Sequence, residues 1–285
     1  LHLHRAALEE GVERGRSGQC RSRRALRDAA QHLLDAVVLP QPCLDLGRLH
    51  GAAPVALNGG VAVHREAARQ RGAGGQVPRL REVRPAHARS VDVMVDGAHA
   101  FAQLDFHIPD LGVEYYGASL HKWLATPLGA GILYVRRDKI AGLWPIYGDA
   151  GPADDDIRKL NHTGTHPVHT DLAINNAIDY HLAIGAARKE ARLRYLQNYW
   201  VTKVRGKPNI ILNTPTDPRR SCAIANVGVK GIKPGDLMDI LMKKYRIWTV
   251  AIDGAGVHGV RVTPHLFTNT AELDAFVKAL GELAA

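Results

Sequence analysis

No phenylalanine, tyrosine or tryptophan occurs in the first 100 residues, and no lysine precedes Lys122. Bases stack on aromatic platforms, so a segment without them is poorly suited to nucleic-acid binding. Cysteine is nearly as scarce. Cys20, Cys43 and Cys222 form neither CxxC pairs nor a disulfide framework, which excludes a stapled secreted miniprotein and fits a reducing, cytoplasmic compartment. No stretch approaches the roughly 18 consecutive apolar residues that span a bilayer, and "LHLHRAALEEGVERGRSG" lacks the apolar segment of a secretory leader. A soluble chain with no membrane partner is therefore expected. There is no HExxH. His162, His166 and His169 read as loop histidines and Asp154 to Asp156 as a solvated loop, so no metal is expected.

Charge is unevenly spread. Residues 1 to 91 hold 15 arginines against 8 acidic side chains, so most of the formal +9 lies in the first third. Residues 1 to 90 are set apart as an atypical Arg/Ala/Gly-rich segment with three open readings. One is a nucleic-acid-binding arm, and another a disordered or targeting extension. The preferred one is a GC-rich coding stretch read out of frame. Within it, "RDAAQHLLDAVVL" (27 to 39) has the spacing of an amphipathic helix and "GAGG" (72 to 75) that of a flexible turn.

From residue 91 the pattern is that of an α/β protein. "VDVMVD" predicts a strand ending at Asp96, where glycine breaks it. "LDFHIPDLGVE" predicts a loop, and "YYGASL" and "GAGILYVRR" two further strands. Residues 168 to 200 keep helical spacing, with Gly185 dividing them into two helices. "SCAIANVGV", "IWTVAI" and "GVRVTP" read as strands. "KPGDLMDILMKKY" and "NTAELDAFVKALGEL" read as helices, with Asp236 and Thr270 near their starts. This gives an α/β core over 91 to 198 and a small C-terminal α/β domain over 199 to 285.

The chemistry-bearing residues cluster at strand ends, where open α/β sheets place ligands. Asp96 closes a strand, His99 follows three residues later, and Ser119, His121 and Lys122 close the next. Pyridoxal phosphate chemistry needs such a set. A lysine forms a Schiff base with the aldehyde, and a carboxylate keeps a proton on the pyridine nitrogen so that the ring accepts electrons. Ser119 and His121 flank the lysine and could donate to the phosphate.

The run "VDGAHAFAQLDFHIPDLGVEYYGASLHKWLATPLGAGILYVRRDKI", with the later "DDDIRKLNHTGTHP" and "GVRVTPHLFTNTAELDAF", resembles the class V aminotransferases, most of all their isopenicillin N epimerase-like group. The resemblance covers about residues 91 to 285. It implies a fold type I architecture, like that of aspartate aminotransferase, with a large domain incomplete or atypical at its N-terminal side. It implies pyridoxal 5′-phosphate bound by Lys122 as Schiff-base lysine, by Asp96 at the pyridine nitrogen and by His99 at the phenolic oxygen. Ser119 and His121 would contact the phosphate, Thr165 would reach it from a neighbouring subunit of a homodimer, and Arg261 would bind the substrate carboxylate. The implied activity is epimerisation or transamination of an amino acid or amino-acid-like peptide. Residues 1 to 90 do not display the family's phosphate loop or the residue that stacks on the ring, so a catalytically inactive truncated relative is an alternative. Another is a cysteine desulfurase or lyase, which needs a mobile thiol, whereas Cys222 opens an apolar alternating run and reads as a packed strand residue. An SxxK acyl-enzyme reading of "SLHK" needs Ser119 to open a helix, and nothing in the pattern supplies one.

Overall fold

The computed structural model describes residues 37–40, 61–63, 83–145, 151–161, 165 and 168–285. Two sheets organise them. The first has the order β1 (Val37–Pro40), β5 (Ala130–Val135), β4 (Tyr115–Ser119), β3 (Val93–Asp96), β2 (Val61–Val63). β2, β3 and β4 run parallel, and β5 is antiparallel to both its neighbours, β4 and β1. The second sheet is antiparallel throughout, in the order β6 (Ile210–Leu212), β7 (Ala225–Val229), β9 (Val257–Val262), β8 (Val250–Gly254).

In β3 the alternation expected of a strand is realised: Val93 and Val95 are buried while Met94 and Asp96 are exposed. Asp96 pairs with Gly117 of β4. Parallel pairing brings the carboxyl ends of both strands to one edge, and the β4–β5 connection, which holds His121 and Lys122, begins there. Gly97 continues the pairing, donating to Gly117 O at 2.8 Å, while its own carbonyl accepts from the buried Tyr116 hydroxyl at 3.2 Å.

The helices are α1 (Val83–His87), α2 (His169–Ile184), α3 (Ala186–Val204), α4 (Pro234–Tyr245) and α5 (Thr270–Leu283). Gly185 separates α2 from α3 at φ +86°, a conformation that costs a side-chain-bearing residue most. α3 runs through the boundary expected at 198/199. Its Leu196, Trp200 and Val204 pack with Val227 of β7, Leu237 of α4 and Phe276 of α5 into one buried core, where Trp200 and Phe276 meet edge to face at 5.2 Å. Start signals explain the last helix, because Asn269 accepts from the Glu272 amide and Glu272 accepts from the Asn269 amide, a reciprocal capping box.

Several expectations need correction. Val37–Leu39 belong to strand β1, not to a helix over 27–39, and the rest of that helix and the 72–75 turn lie outside the described residues. The segment 104–114 contains a 3-10 turn at Ile108–Leu111. Ser221 to Ile224 precede β7, so Cys222 is buried but not in a strand. Asp156 caps the turn Ile157–Leu160 by accepting from Arg158 N at 2.8 Å. β6 is too short to carry a periodicity of its own.

A Cβ placed on Gly97 would lie 1.8 Å from the Tyr116 ring. Gly97→Ala is therefore expected to cost about 1–3 kcal/mol in denaturant unfolding, the usual penalty for overpacking. An unchanged midpoint would contradict the packing at this turn.

Candidate active site

Four side chains converge where the edge of the first sheet meets the second. Asp96 Oδ1 accepts from the Ala98 amide at 3.0 Å, which fixes the carboxylate at the strand end. His99 follows on the turn that Gly97 opens, and its Nε2 lies 3.5 Å from Lys122 Nζ. Lys122 sits in the β4–β5 connection, whose ends are closed by Leu120 N on Ala130 O at 3.1 Å and Thr126 N on Leu120 O at 3.4 Å. Arg261 comes from β9 and is close enough to act electrostatically on both His99 and Lys122.

These neighbours tune one another. Desolvation, then the charges of Lys122 and Arg261, push the His99 imidazole down to about 4 against the pull of Asp96. His99 is thus neutral near pH 7, with one ring nitrogen free to donate and one to accept. Desolvation also lowers Lys122, assisted by Arg261 and opposed by Asp96, which enriches the free amine that nucleophilic or base chemistry requires. His121 is lowered by desolvation and by Lys122, and its buried Nδ1 has no hydrogen-bond partner among the described residues.

Ser119 ends β4 opposite Gly131, partly buried. Thr165 is exposed, and no described contact joins it to the group around Lys122. His162 and His166 lie outside the described residues, and His169 is the first residue of α2. Among the described residues, no group of three or more His, Cys, Asp and Glu side chains could hold a metal. No described helix is long and apolar enough to cross a membrane.

Behind the site are residues that the sequence pattern did not single out. Buried Gln103 donates through Nε2 to the His99 carbonyl and accepts at Oε1 from Ala223 N at 3.1 Å, joining the His99 turn to the segment before β7. Lys189 is 1% exposed, donates to the Trp123 carbonyl and lies 3.4 Å from His181 Nδ1. Desolvation brings Lys189 down to about 8 and, with Lys189, His181 down to about 4. The Trp123 ring stacks on His265 at 5.4 Å, and His265 stacks on Phe267 at 4.6 Å. A signal for Lys189 exists in the sequence: it shares the apolar stripe of Leu193, Leu196, Trp200 and Val204 on α3.

The thiol of Cys222, the one cysteine among the described residues, is buried, and desolvation pushes it up to about 12. At neutral pH it is neither a thiolate nor exposed.

The donor set fits pyridoxal phosphate. Asp96 can pair with a protonated ring nitrogen, Lys122 offers a depressed amine, neutral His99 can donate beside it, and the orphaned His121 nitrogen suits a phosphate oxygen.

Comparisons with known proteins agree. The profile of the family described as Aminotransferase class-V matches residues 70–276, so the match begins within the arginine-rich segment. The isopenicillin N epimerase of Amycolatopsis lactamdurans is 29% identical over 224 residues, covering 73% of this chain and 56% of the relative. That of Streptomyces clavuligerus is 27% identical over 215 residues, covering 70% and 54%. The chain thus spans about half the length of these curated relatives. Among solved structures, the cysteine desulfurase CsdA of Escherichia coli superposes with a TM-score of 0.60 at 20% identity, over 70% of this chain and 53% of that one. At this identity the likeness shows a shared fold.

The buried His181 and Lys189 predict a pH signature. Folding lowers both pKa values, so protonation favours the unfolded chain. The stability linked to His181 is present above about pH 6.5 and lost as pH falls towards 4, whereas that linked to Lys189 is gained as pH rises from about 8 towards 10.5. His181→Gln should flatten the urea midpoint in the acid window and Lys189→Met in the alkaline one. Unchanged slopes would contradict these burials.

Proposed function

This chain belongs to the aminotransferase class-V family, and from that premise we propose that it is a pyridoxal 5′-phosphate-dependent enzyme acting on an amino acid or amino-acid-like peptide. Its reaction is epimerisation or transamination, in the manner of an isopenicillin N epimerase. The observation that carries this reading is the meeting of Asp96, His99 and Lys122 from one sheet with Arg261 from the other.

The cofactor, when bound, supplies an electron sink for the bond that breaks at Cα. Every other task falls to side chains of this chain. Asp96 would keep a proton on the ring nitrogen through a charge-assisted pair, and neutral His99 would donate to the phenolic oxygen. Ser119 and His121 donate to the phosphate. Arg261 grips the substrate carboxylate with its planar fork, which fixes the direction of the Cα–H bond. Lys122, whose pKa is lowered, would take the Cα proton.

Desulfuration is less well supported. It needs a mobile thiolate, and the one cysteine among the described residues, Cys222, is buried and protonated. The scarcity of cysteine favours a cytoplasmic setting.

Two outcomes test the reading. With the cofactor, the chain should exchange the Cα hydrogen of an amino acid with solvent deuterium and show the visible absorption of bound cofactor. Lys122→Ala should abolish both, and Arg261→Lys should raise KM at least about tenfold, the effect of losing a bidentate pair. Full activity in either variant would refute the role of the residue replaced. The second outcome concerns assembly. A phosphate dianion needs many donors, and Thr165, exposed in one chain, can serve a partner's site. Light scattering should then report a homodimer when the cofactor is bound. A monomer holding the cofactor stoichiometrically would rule out the shared site.

A further inference from the structure

Arg261 has a neighbour whose hydrogen-bonding orientation is dictated by a second asparagine. In the β7–β9 register Asn226 lies directly opposite Arg261, so their side chains share a face. Ala225, Val227 and Val260 occupy the other face, in the core behind the sheet. Asn213 Nδ2 donates to the His258 carbonyl at 2.9 Å and to Asn226 Oδ1 at 2.7 Å. A backbone carbonyl only accepts, so the Asn213 amide must turn its nitrogen this way, and Asn226 must answer with its oxygen. The Asn226 nitrogen is thereby turned away from Asn213. It is buried and has no acceptor among the described residues, and the same holds for Arg261 Nε.

Two buried donors thus belong to directly opposed residues on one face, with no acceptor of their own among the described residues. Neighbouring donors do not satisfy each other, whereas a carboxylate has two oxygens and lone pairs for both. Close backbone packing keeps Asn226 in place: a Cβ on Gly259 would lie 2.6 Å from Asn226 Oδ1. We infer that Asn226 Nδ2 is a second donor to the substrate carboxylate, beside Arg261, and so helps to determine specificity for a free α-carboxylate. This inference rests on Arg261 being the residue that binds that carboxylate.

Asn226→Asp tests it, because the aspartate keeps an oxygen for Asn213 while replacing the donor with a group that repels a carboxylate. Asn226→Ala removes both functions. The common L-amino acids, each paired with its carboxamide, are titrated into the cofactor-loaded chain, and binding is followed by the change in visible absorption. The quantity read is the preference for the acid over its amide, which does not depend on the fraction of chain folded. Both Asn226 variants should lose at least tenfold of this preference. Retention of the preference in either variant, or equal weakening of acid and amide, would overturn the inference. Arg261→Lys separates the two readings. If it loses the preference while the Asn226 variants keep it, only Asn226 has been misassigned. If it too keeps the wild-type preference, or the wild type has none, the carboxylate reading itself falls.

Discussion

The parallel pairing of β3 with β4 is the constraint on which the site depends. With Asp96 opposite Gly117, the two strands finish at the same edge, and the carboxylate and the lysine loop, 26 residues apart in sequence, become neighbours. Neither group alone is informative, because strand ends often carry aspartate and loops often carry lysine. Their chemistry arises from being held together: the negative charge of Asp96 supports the Lys122 ammonium while desolvation and Arg261 oppose it. The balance leaves the lysine pKa lowered without removing its partner.

Arg261 adds the second requirement, since it belongs to another sheet. Its position depends on the core in which α3, α4 and α5 cover the back of β7 and β9, leaving the opposite face for Asn226 and Arg261. Gln103 ties the two halves together, with one end of its amide on the His99 carbonyl and the other on the Ala223 amide. Lys189 performs a similar task behind the lysine loop by donating to the Trp123 carbonyl. A buried lysine is costly unless satisfied. Its lowered pKa marks that cost, and the restrained carbonyl next to Lys122 is what it secures.

Much of this was legible in the sequence, for identifiable reasons. β3, β4 and β5 carry hydrophobic alternation or buried runs bounded by glycine, and Gly185 divides the long helical segment where its φ of +86° requires. Asp96, His99, His121 and Lys122 were singled out by their types and order and Arg261 by the family resemblance, and the structure brings Asp96, His99, Lys122 and Arg261 together. The contacts of the supporting residues escaped: the α3 stripe signals the burial of Lys189, but Gln103 and Lys189 act through backbone atoms, and no spacing reveals which carbonyl a side chain will meet. β6 escaped because three residues carry no period. The helix expected over 27–39 failed where Val37–Leu39 join a sheet edge, a case of tertiary pairing overriding local pattern. Thr165, expected at a partner's site, is exposed in the single chain.

The central claim is that Lys122 is the residue that carries the cofactor. Borohydride reduction of the pyridoxal-phosphate-loaded chain, followed by proteolysis and mass spectrometry, addresses it directly. The account predicts that the reduced cofactor is found on the peptide containing Lys122 and on no other in stoichiometric amount. Stoichiometric labelling of Lys189 or another lysine, with Lys122 unmodified, would contradict it.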